Sequence, residues 1–113
     1  MTPLFHLSDE AEWSTAVAEG AFTGSTRGRT LAEEGFIHCS LAHQVETVAN
    51  LFYGGVDGLL LLTIDPERVQ APIRYDPAEN GEEFPHIYGP LNIDAVVAVQ
   101  PFRAGPDGRF HFP

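Results

Sequence analysis

The segment Leu59–Ile64, which reads LLLLTI, is a run of apolar residues of strand length near the middle of the chain. Successive side chains of a strand point to opposite faces, so an apolar run without polar alternation predicts a strand that is buried on both faces. Asp65 and Pro66 then turn the chain away from this run. We therefore expect residues 59–64 to form a central strand on which the rest of the fold packs.

A first helix is predicted before this strand, over residues 9–19. Ser8 is its expected N-cap, and Asp9 with Glu12 has the spacing of a capping-box pair. The helix is expected to end before Gly20, because glycine readily adopts the left-handed conformation that ends a helix. Trp13 is interpreted as an anchor of this helix in the core.

A second helix is predicted over residues 41–53, where apolar side chains recur at helical spacing. Ser40 is its expected N-cap, and the Gly54-Gly55 pair is expected to end it. Residues 20–34 are expected to be mostly loop. Short strands are expected at residues 4–7, 35–39, 73–75, 85–88 and 95–99, with a hairpin-like tail at 110–112.

Two main helices and six or seven strands in irregular order predict an α+β fold. We expect a mixed, mostly antiparallel split sheet. The chain of 113 residues is 43% hydrophobic, which is enough to bury one core, so a single domain over residues 1–113 is expected.

The charge balance is strongly acidic, with 16 acidic and 6 basic side chains and a net charge of -10. So few basic groups cannot neutralise many phosphates, which argues against nucleic-acid partners and anionic membrane surfaces. The same charge favours a monomer or a small homo-oligomer. No signal-peptide pattern and no run of about 18 apolar residues is present, so we expect a cytoplasmic protein.

Histidine motifs are the candidate functional residues. His6-Leu7-Ser8 and His38-Cys39-Ser40 repeat a His-x-Ser pattern, in which residues two apart in a strand share a face. A serine that begins a helix would add the anion-attracting helix N-terminus to each histidine. Neutral histidine offers one donor and one acceptor and shuttles protons near neutral pH. Each histidine taken alone is more typical of a structural role, but the three together, each beside a turn, predict a polar pocket.

The segment FPHIYGPL at residues 84–91 is the third motif. Its two prolines restrict the backbone around His86 and Tyr88, which suits a pocket wall on which an aromatic ligand stacks. An edge strand that packs on the core is the alternative. Loop carboxylates precede the motif and are interpreted as solvated surface rather than as ligand contacts: Glu79, Glu82 and Glu83.

Metal and thiol chemistry are both disfavoured. The sequence has no CxxC or HExxH motif, and His38 and Cys39 are adjacent in a strand and so point to opposite faces. No metal is therefore expected. Cys39 is the only cysteine, and its apolar neighbours favour a buried, inert thiol over a nucleophile.

The motifs also resemble those of a known family. LFHLS at residues 4–8, EGFIHCS at 34–40, LLLLTID at 59–65, FPHIYGPLN at 84–92 and AVVAVQPF at 95–102 resemble the small bacterial domain-of-unknown-function family 952 (DUF952). The resemblance implies a fold similar to that of ADP-ribosyltransferases, and with it NAD as a substrate.

In that superfamily a histidine of the first core strand contacts the ribose of NAD, and the resemblance carries this role to His6. EGFIHCS resembles the second histidine strand of the RNA 2′-phosphotransferase branch, and the match falls on His38 and Ser40. His86 and Tyr88 would lie on a later strand that flanks the cleft.

Two features depart from that superfamily. Its RNA-repair branch binds phosphates through arginines, whereas Arg27 and Arg29 of this chain lie in a predicted loop without a clear counterpart. Classical transferases carry a glutamate on a late strand, and none occurs in residues 93–102.

Three functional hypotheses follow. The first is an enzyme that cleaves or transfers a glycosidic bond of NAD or an ADP-ribose-like compound. The second is a non-catalytic module that binds a nucleotide or metabolite, and the third is a structural, partner-binding domain. For the first, the catalytic candidates are His6, His38 and His86, and the ligand-binding candidates are Ser8, Ser40 and Tyr88.

Overall fold

The computed structural model describes residues 2–25 and 28–113. The strands of this part of the chain are β1 (Leu4–Asp9), β2 (Ala21–Phe22), β3 (Ile37–His38), β4 (Leu59–Ile64), β5 (Ile73–Pro77), β6 (Glu83–Ile87), β7 (Leu91–Asn92) and β8 (Val96–Pro101). The helices are α1 (Glu10–Glu19), α2 (Leu31–Glu34) and α3 (Ala42–Phe52), and two 3₁₀ turns span Pro66–Arg68 and Ile93–Ala95.

Strand β4 is the central strand of the first sheet. It pairs antiparallel with β1 on one side and with β8 on the other. Its alternate side chains enter two separate apolar clusters, since Leu60 and Leu62 pack in one, and Leu59 and Leu61 in the other. Burial of one leucine side chain contributes roughly 2 kcal/mol of transfer free energy. The predicted central strand, buried on both faces, is confirmed.

Strands β3, β6 and β5 form the second sheet in that order, with antiparallel pairing throughout. One face of this sheet carries Ile37 and Ile87, which are fully buried in the core. The other face carries His38 and His86, which are only partly buried. Because successive residues of a strand alternate faces, the burial of the two isoleucines turns the neighbouring histidines away from the core.

The two sheets are joined through their main chains. The Phe5 N–H donates to the Ser40 carbonyl and the Ser40 N–H donates to the Phe5 carbonyl, both at 2.8 Å. This pairing holds β1 beside β3, although more than thirty residues separate them in sequence. Strands β2 and β7 form a small third sheet.

The start of helix α1 confirms one cap and corrects another. The Asp9 carboxylate accepts from the Glu12 N–H at 2.7 Å, and the Glu12 carboxylate accepts from the Asp9 N–H at 3.3 Å, so the predicted capping box is present. Ser8 is not the N-cap. The β1–β4 ladder continues to Asp9, so Ser8 lies inside the strand.

The start of helix α3 corrects the second predicted serine cap. Leu41 is the N-cap residue, and its N–H donates to the Gln44 side chain at 2.9 Å. Ser40 precedes the N-cap residue, and its main chain pairs with Phe5 in a β-bridge instead of beginning the helix. Neither serine therefore begins a helix, and the predicted anion site at a serine-capped helix N-terminus is wrong.

Several element boundaries also differ from prediction. Within the described residues every strand pairing is antiparallel, so the sheets are not mixed. The predicted loop over residues 20–34 includes β2 and α2. The tail at residues 110–112 forms no strand; instead Phe110 is fully buried and stacks on Phe102 at 5.2 Å between ring centroids. The described part of the chain has an α+β fold, as predicted, with antiparallel sheets and three helices.

Two smaller observations complete the fold. Trp13 is partly buried and packs against the first apolar cluster, in agreement with its interpretation as an anchor of α1. Across residues 2–25 and 28–113, none of the helices has the length and apolar character needed to cross a membrane.

Replacing the N-cap of α1 tests the capping box. Asp9→Ala removes the acceptor for the Glu12 N–H and is expected to lower the free energy of unfolding by about 1 kcal/mol. Asp9→Ser is expected to lower the free energy of unfolding much less, because a serine hydroxyl is an equally good N-cap. Urea unfolding of the three proteins measures both differences. Equal losses in the two variants would show that the carboxylate acts through its charge rather than through the cap.

Candidate active site

Three histidines from distant parts of the sequence converge at the junction of the two sheets. His38 and His86 lie directly opposite each other in the β3–β6 ladder. His6 lies within β1, which extends to Asp9 rather than ending at residue 7 as predicted, and the Phe5–Ser40 pairing brings it beside β3. The arrangement is thus built by strand register.

His6 is deeply buried, with 3% of its surface exposed. Its Nδ1 lies 2.5 Å from the carbonyl oxygen of His38, and a carbonyl only accepts, so Nδ1 carries the proton and donates. The Nε2 atom is then an acceptor, and it has no partner among the described residues. Burial lowers the pKa of His6 to about 4, so the ring is neutral at pH 7.

A continuous hydrogen-bonded chain leads from His38 to a carboxylate. His38 Nδ1 lies 3.1 Å from His86 Nε2, and His86 Nδ1 donates to the Asp76 carboxylate at 2.7 Å. The Tyr88 hydroxyl donates to the same carboxylate oxygen. We call the three groups His38, His86 and Asp76 the relay.

The two ends of the relay, His38 and Asp76, have opposite roles because their surroundings favour the neutral form of one and the charged form of the other. Burial, followed by the positive charges that His86 and His6 carry when protonated, lowers the pKa of His38 to about 4. Hydrogen bonds from Tyr88 and then His86 hold the pKa of the Asp76 carboxyl below its usual value. The hydrogen bond to Asp76 in turn raises the pKa of the Tyr88 phenol. At neutral pH, His38 is therefore a neutral base and Asp76 a fixed negative charge.

A cleft of about 520 Å³ opens over the relay. Phe36 forms part of its wall and stacks on the His86 ring at 4.0 Å between centroids. The cleft lies between the histidine face of the second sheet, helix α3 and the loop that joins β5 to β6. It is lined by Phe36, His38, Gln44, Thr47, Val48, Leu51, Phe52, Asp76, Pro77, Ala78, Glu79, Asn80, Glu82, Phe84 and His86.

The predicted site residues do not all join this cleft. His38 and His86 line the cleft. Tyr88 does not line it, but its hydroxyl donates to Asp76, which does. His6 and Ser40 lie behind His38, where they line a cavity of about 10 Å³ that is just large enough for a water molecule. Ser8 is buried elsewhere in β1, and its hydroxyl donates to the Asp9 carbonyl at 2.9 Å.

Sequence reasoning missed three residues of the site, Asp76, Phe36 and Gln44. Asp76 precedes a proline, which is typical of a turn, and its role emerges only when β5 pairs with β6. Phe36 stands two residues before His38, so the alternation of strand faces was the available signal. Gln44 is almost fully buried, and its amide donates to Glu82 Oε1 at 3.1 Å. Glu82 and Glu79 both line the cleft, contrary to the interpretation of these loop carboxylates as solvated surface, whereas Glu83 is exposed and is not among the lining residues.

Cys39 is fully buried on the face opposite the relay, and burial raises the pKa of its thiol. The thiol of the folded protein is therefore expected to resist alkylation at pH 8, since only the thiolate reacts and reagent cannot reach it. The rate of labelling by iodoacetamide, followed by mass spectrometry with and without denaturant, measures this protection. Rapid labelling of the native protein would contradict the expectation.

The sequence also raises the questions of a metal site and of two loop arginines, Arg27 and Arg29. Within residues 2–25 and 28–113, no group of three or more His, Cys, Asp or Glu side chains is placed to hold a metal ion. Arg27 lies outside the described residues, and Arg29 forms an ion pair with Glu34 at 3.5 Å. Arg29 is not among the residues that line the cleft.

Comparison with known proteins gives a family and a fold. The model of the family described as "Protein of unknown function (DUF952)" matches residues 7–99. The crystal structure of protein CC0527 from Caulobacter crescentus is 29% identical, with a TM-score of 0.86 over 97% of this chain and 94% of that one. Its solution NMR structure is 30% identical, with a TM-score of 0.80 over 96% and 91%. No curated protein matches this chain.

Proposed function

This chain belongs to the DUF952 family, which assigns it no reaction, and we propose from its own geometry that the cleft binds a small organic molecule on which His38 acts as a general acid–base catalyst. The observation that carries the proposal is the relay, an unbroken chain of hydrogen bonds whose one end, His38, lines an open cleft. A histidine oriented by a second group that stabilises its charge is the usual arrangement for acid–base catalysis.

The relay permits a balanced proton transfer. Asp76 accepts from His86 Nδ1, which leaves His86 Nε2 free to accept from His38 Nδ1. A ligand O–H or N–H then gives its proton to His38 Nε2, while the Nδ1 proton of His38 passes to His86 Nε2. His38 ends neutral, and the positive charge resides on His86 beside the Asp76 carboxylate. The reverse transfer returns the proton to the product.

Two finer predictions remain part of the proposal: NAD or an ADP-ribose-like compound as substrate, and kinship with ADP-ribosyltransferases. The Nε2 atom of His6 is an unpartnered acceptor among the described residues. His6 lines the cavity of about 10 Å³ behind His38 rather than the cleft, so its position weighs against the predicted contact with a ribose. The charge of the cleft weighs against a pyrophosphate, because three carboxylates line it and no lysine or arginine does among the described lining residues.

The protonation pattern of the relay can be measured without a substrate. In ¹⁵N imidazole spectra at pH 7, His6 and His86 are expected to carry the Nδ1 proton and His38 to be neutral. Asp76→Asn is expected to shift the signals of His86 and His38 while those of His6 stay in place. Unchanged His38 signals in this variant would show that the carboxylate is not coupled to His38.

Turnover decides whether the site is catalytic. The protein is incubated with NAD, ADP-ribose, nucleosides and sugar phosphates, and products are followed by mass spectrometry. His38→Gln is expected to lose turnover while the protein stays folded, whereas His111→Gln, an exposed histidine of the C-terminal tail, is expected to keep it. Activity that survives in His38→Gln would overturn the catalytic role.

A non-catalytic binding module is the second candidate, and the mainly apolar lining of the cleft favours it. A binder is expected to raise the melting temperature on addition of its ligand without consuming it. If no compound binds and His38→Ala lowers the melting temperature markedly, the third hypothesis, a structural or partner-binding domain, is supported instead.

A further inference from the structure

We propose that the cleft selects an organic cation, that is, an ammonium group attached to an apolar or aromatic body. This inference rests on the proposed function in that both place the ligand over the relay, and it names the class of that ligand. It is carried by the carboxylates, the aromatic rings and the absence of lysine and arginine among the described residues that line the cleft.

The charge of the cleft is the first argument. Asp76, Glu79 and Glu82 line it. Arg74 of β5 is not among the described lining residues; its guanidinium lies over the Tyr88 ring, 5.3 Å from the centroid, and its charge offsets part of that of Asp76. Such a cleft repels phosphate and carboxylate groups and attracts a positive charge, and low-dielectric walls strengthen both effects.

The position of Glu82 is the second argument. Its Oε1 accepts from the buried Gln44 amide at 3.1 Å, its Oε2 accepts from the Asn80 amide at 3.3 Å, and its N–H donates to Asn80 Oδ1 at 2.9 Å. The hydrogen-bond partners of this carboxylate are thus neutral amides. The exposed ring of His43 forms an ion pair with it when the ring is protonated, with Nε2 3.7 Å from Oε1. Glu82 is therefore held in place mainly by groups without charge, and it lines the cleft.

The aromatic wall is the third argument. Phe36, Phe52 and Phe84 line the cleft together with the aliphatic side chains Val48 and Leu51. The faces of aromatic rings attract ammonium groups, and rings combined with carboxylates are the usual surroundings of bound organic cations. His38 is neutral at pH 7 and so does not repel the cation beside which it would act.

Three small probes that differ in charge test the inference: benzylammonium, benzyl alcohol and benzoate. Binding is followed at pH 7 by NMR titration of the imidazole signals of His38 and the amides of the cleft. Benzylammonium is expected to bind about tenfold more tightly than benzyl alcohol, and benzoate to bind weakest. Benzyl alcohol or benzoate binding as tightly as benzylammonium would overturn the inference.

Carboxamide variants show whether the fixed carboxylate is responsible. Glu82→Gln is expected to weaken the binding of benzylammonium about fivefold, since one nearby unit charge is lost, and to leave the affinity for benzyl alcohol unchanged. Glu67→Gln, at a 3₁₀ turn that does not line the cleft, is the matched control and is expected to change neither affinity. Equal losses for both probes, or an equal effect of the control, would contradict the role of Glu82. Should Glu82→Gln not fold, Glu79→Gln serves in its place, because Glu79 is exposed.

The outcomes also separate this inference from the proposed function. Benzoate or ADP-ribose that binds tightly and shifts His38 would overturn the cation class and leave the ligand-binding relay standing. A cation that binds the cleft while His38→Gln retains all turnover would support the ligand class and overturn the catalytic role. If none of the three probes perturbs the cleft at millimolar concentration, the cation class is wrong, and the turnover assay decides the proposed function by itself.

Discussion

Lowering the pH from 7 to 4 is expected to reduce the free energy of unfolding by about 3 kcal/mol through His6 alone. Folding lowers the pKa of this histidine from 6.5 to about 4 because the ring is buried, and each unit of difference is worth about 1.4 kcal/mol. The unfolded chain binds the proton more readily, so the contribution to stability is full above pH 6.5 and is lost as the pH falls to about 4.

Other titrating groups also change the free energy of unfolding as the pH falls. The pKa of His38 is lowered to about 4 as well, so its protonation destabilises the fold over the same pH range. Glu12 acts in the opposite direction, because burial raises its pKa and its protonation favours the folded state. The lowered pKa of Asp76 removes stability only at more acidic pH. A comparison of the protein with a His6 variant is therefore needed to isolate His6.

His6→Asn provides that comparison. An asparagine amide nitrogen retains the donor to the His38 carbonyl, but it does not titrate. Urea unfolding between pH 7 and pH 4 is expected to show a smaller loss of stability in the variant, by about 3 kcal/mol. Parallel pH profiles for the two proteins would mean that His6 is protonated as easily in the folded state as in the unfolded chain.

Gly89→Ala is expected to destabilise the fold by roughly 2 kcal/mol or more. Gly89 has φ of +157°, which a residue with a side chain rarely adopts, and a Cβ built there would lie 2.8 Å from the Cβ of Ala71. The backbone must shift to relieve this clash, and Tyr88, the residue before it, must shift as well. We expect the Tyr88 hydrogen bond to Asp76 to weaken in the same variant, and its phenol pKa to fall towards the usual value.

Ala71→Gly is the matched partner in a double-mutant cycle, because it removes the atom that the new Cβ meets. In the double variant the nearest atom of residue 71 is the Cα, 4.0 Å away. Part of the lost stability is therefore expected to return, and the remainder measures the backbone strain. Simple additivity of the two substitutions in urea unfolding would show that the two residues do not collide.

The central strand and the convergence of the histidines differ in how far sequence predicts them. A six-residue apolar run determines β4 by its own composition, and the prediction was confirmed. The serine caps failed because tertiary pairing decides where a strand ends. Ser8 satisfies every local preference for an N-cap, yet the β1–β4 ladder passes through it to Asp9.

The sequence predicts only part of the relay and its surroundings. The motifs identify the relay residues His38 and His86 and the neighbouring Tyr88 by their residue types, and strand alternation places His86 and Tyr88 on one face. Asp76 lies ten residues before His86 in a segment typical of a turn, and its carboxylate reaches the histidine only through the register of β5 against β6. Long-range register of this kind is not encoded in local propensity.

The distances along the chain that the site spans determine when it forms. His6 meets His38 across 32 residues, and His38 meets His86 across 48. The closure of such loops loses chain entropy before any contact compensates for it, so structures dominated by distant pairings fold slowly. A chain that ends before His86 lacks the relay, and binding to the cleft therefore reports that β3, β5 and β6 have paired. A ligand of this site would selectively stabilise the folded protein over any shorter chain made during its synthesis.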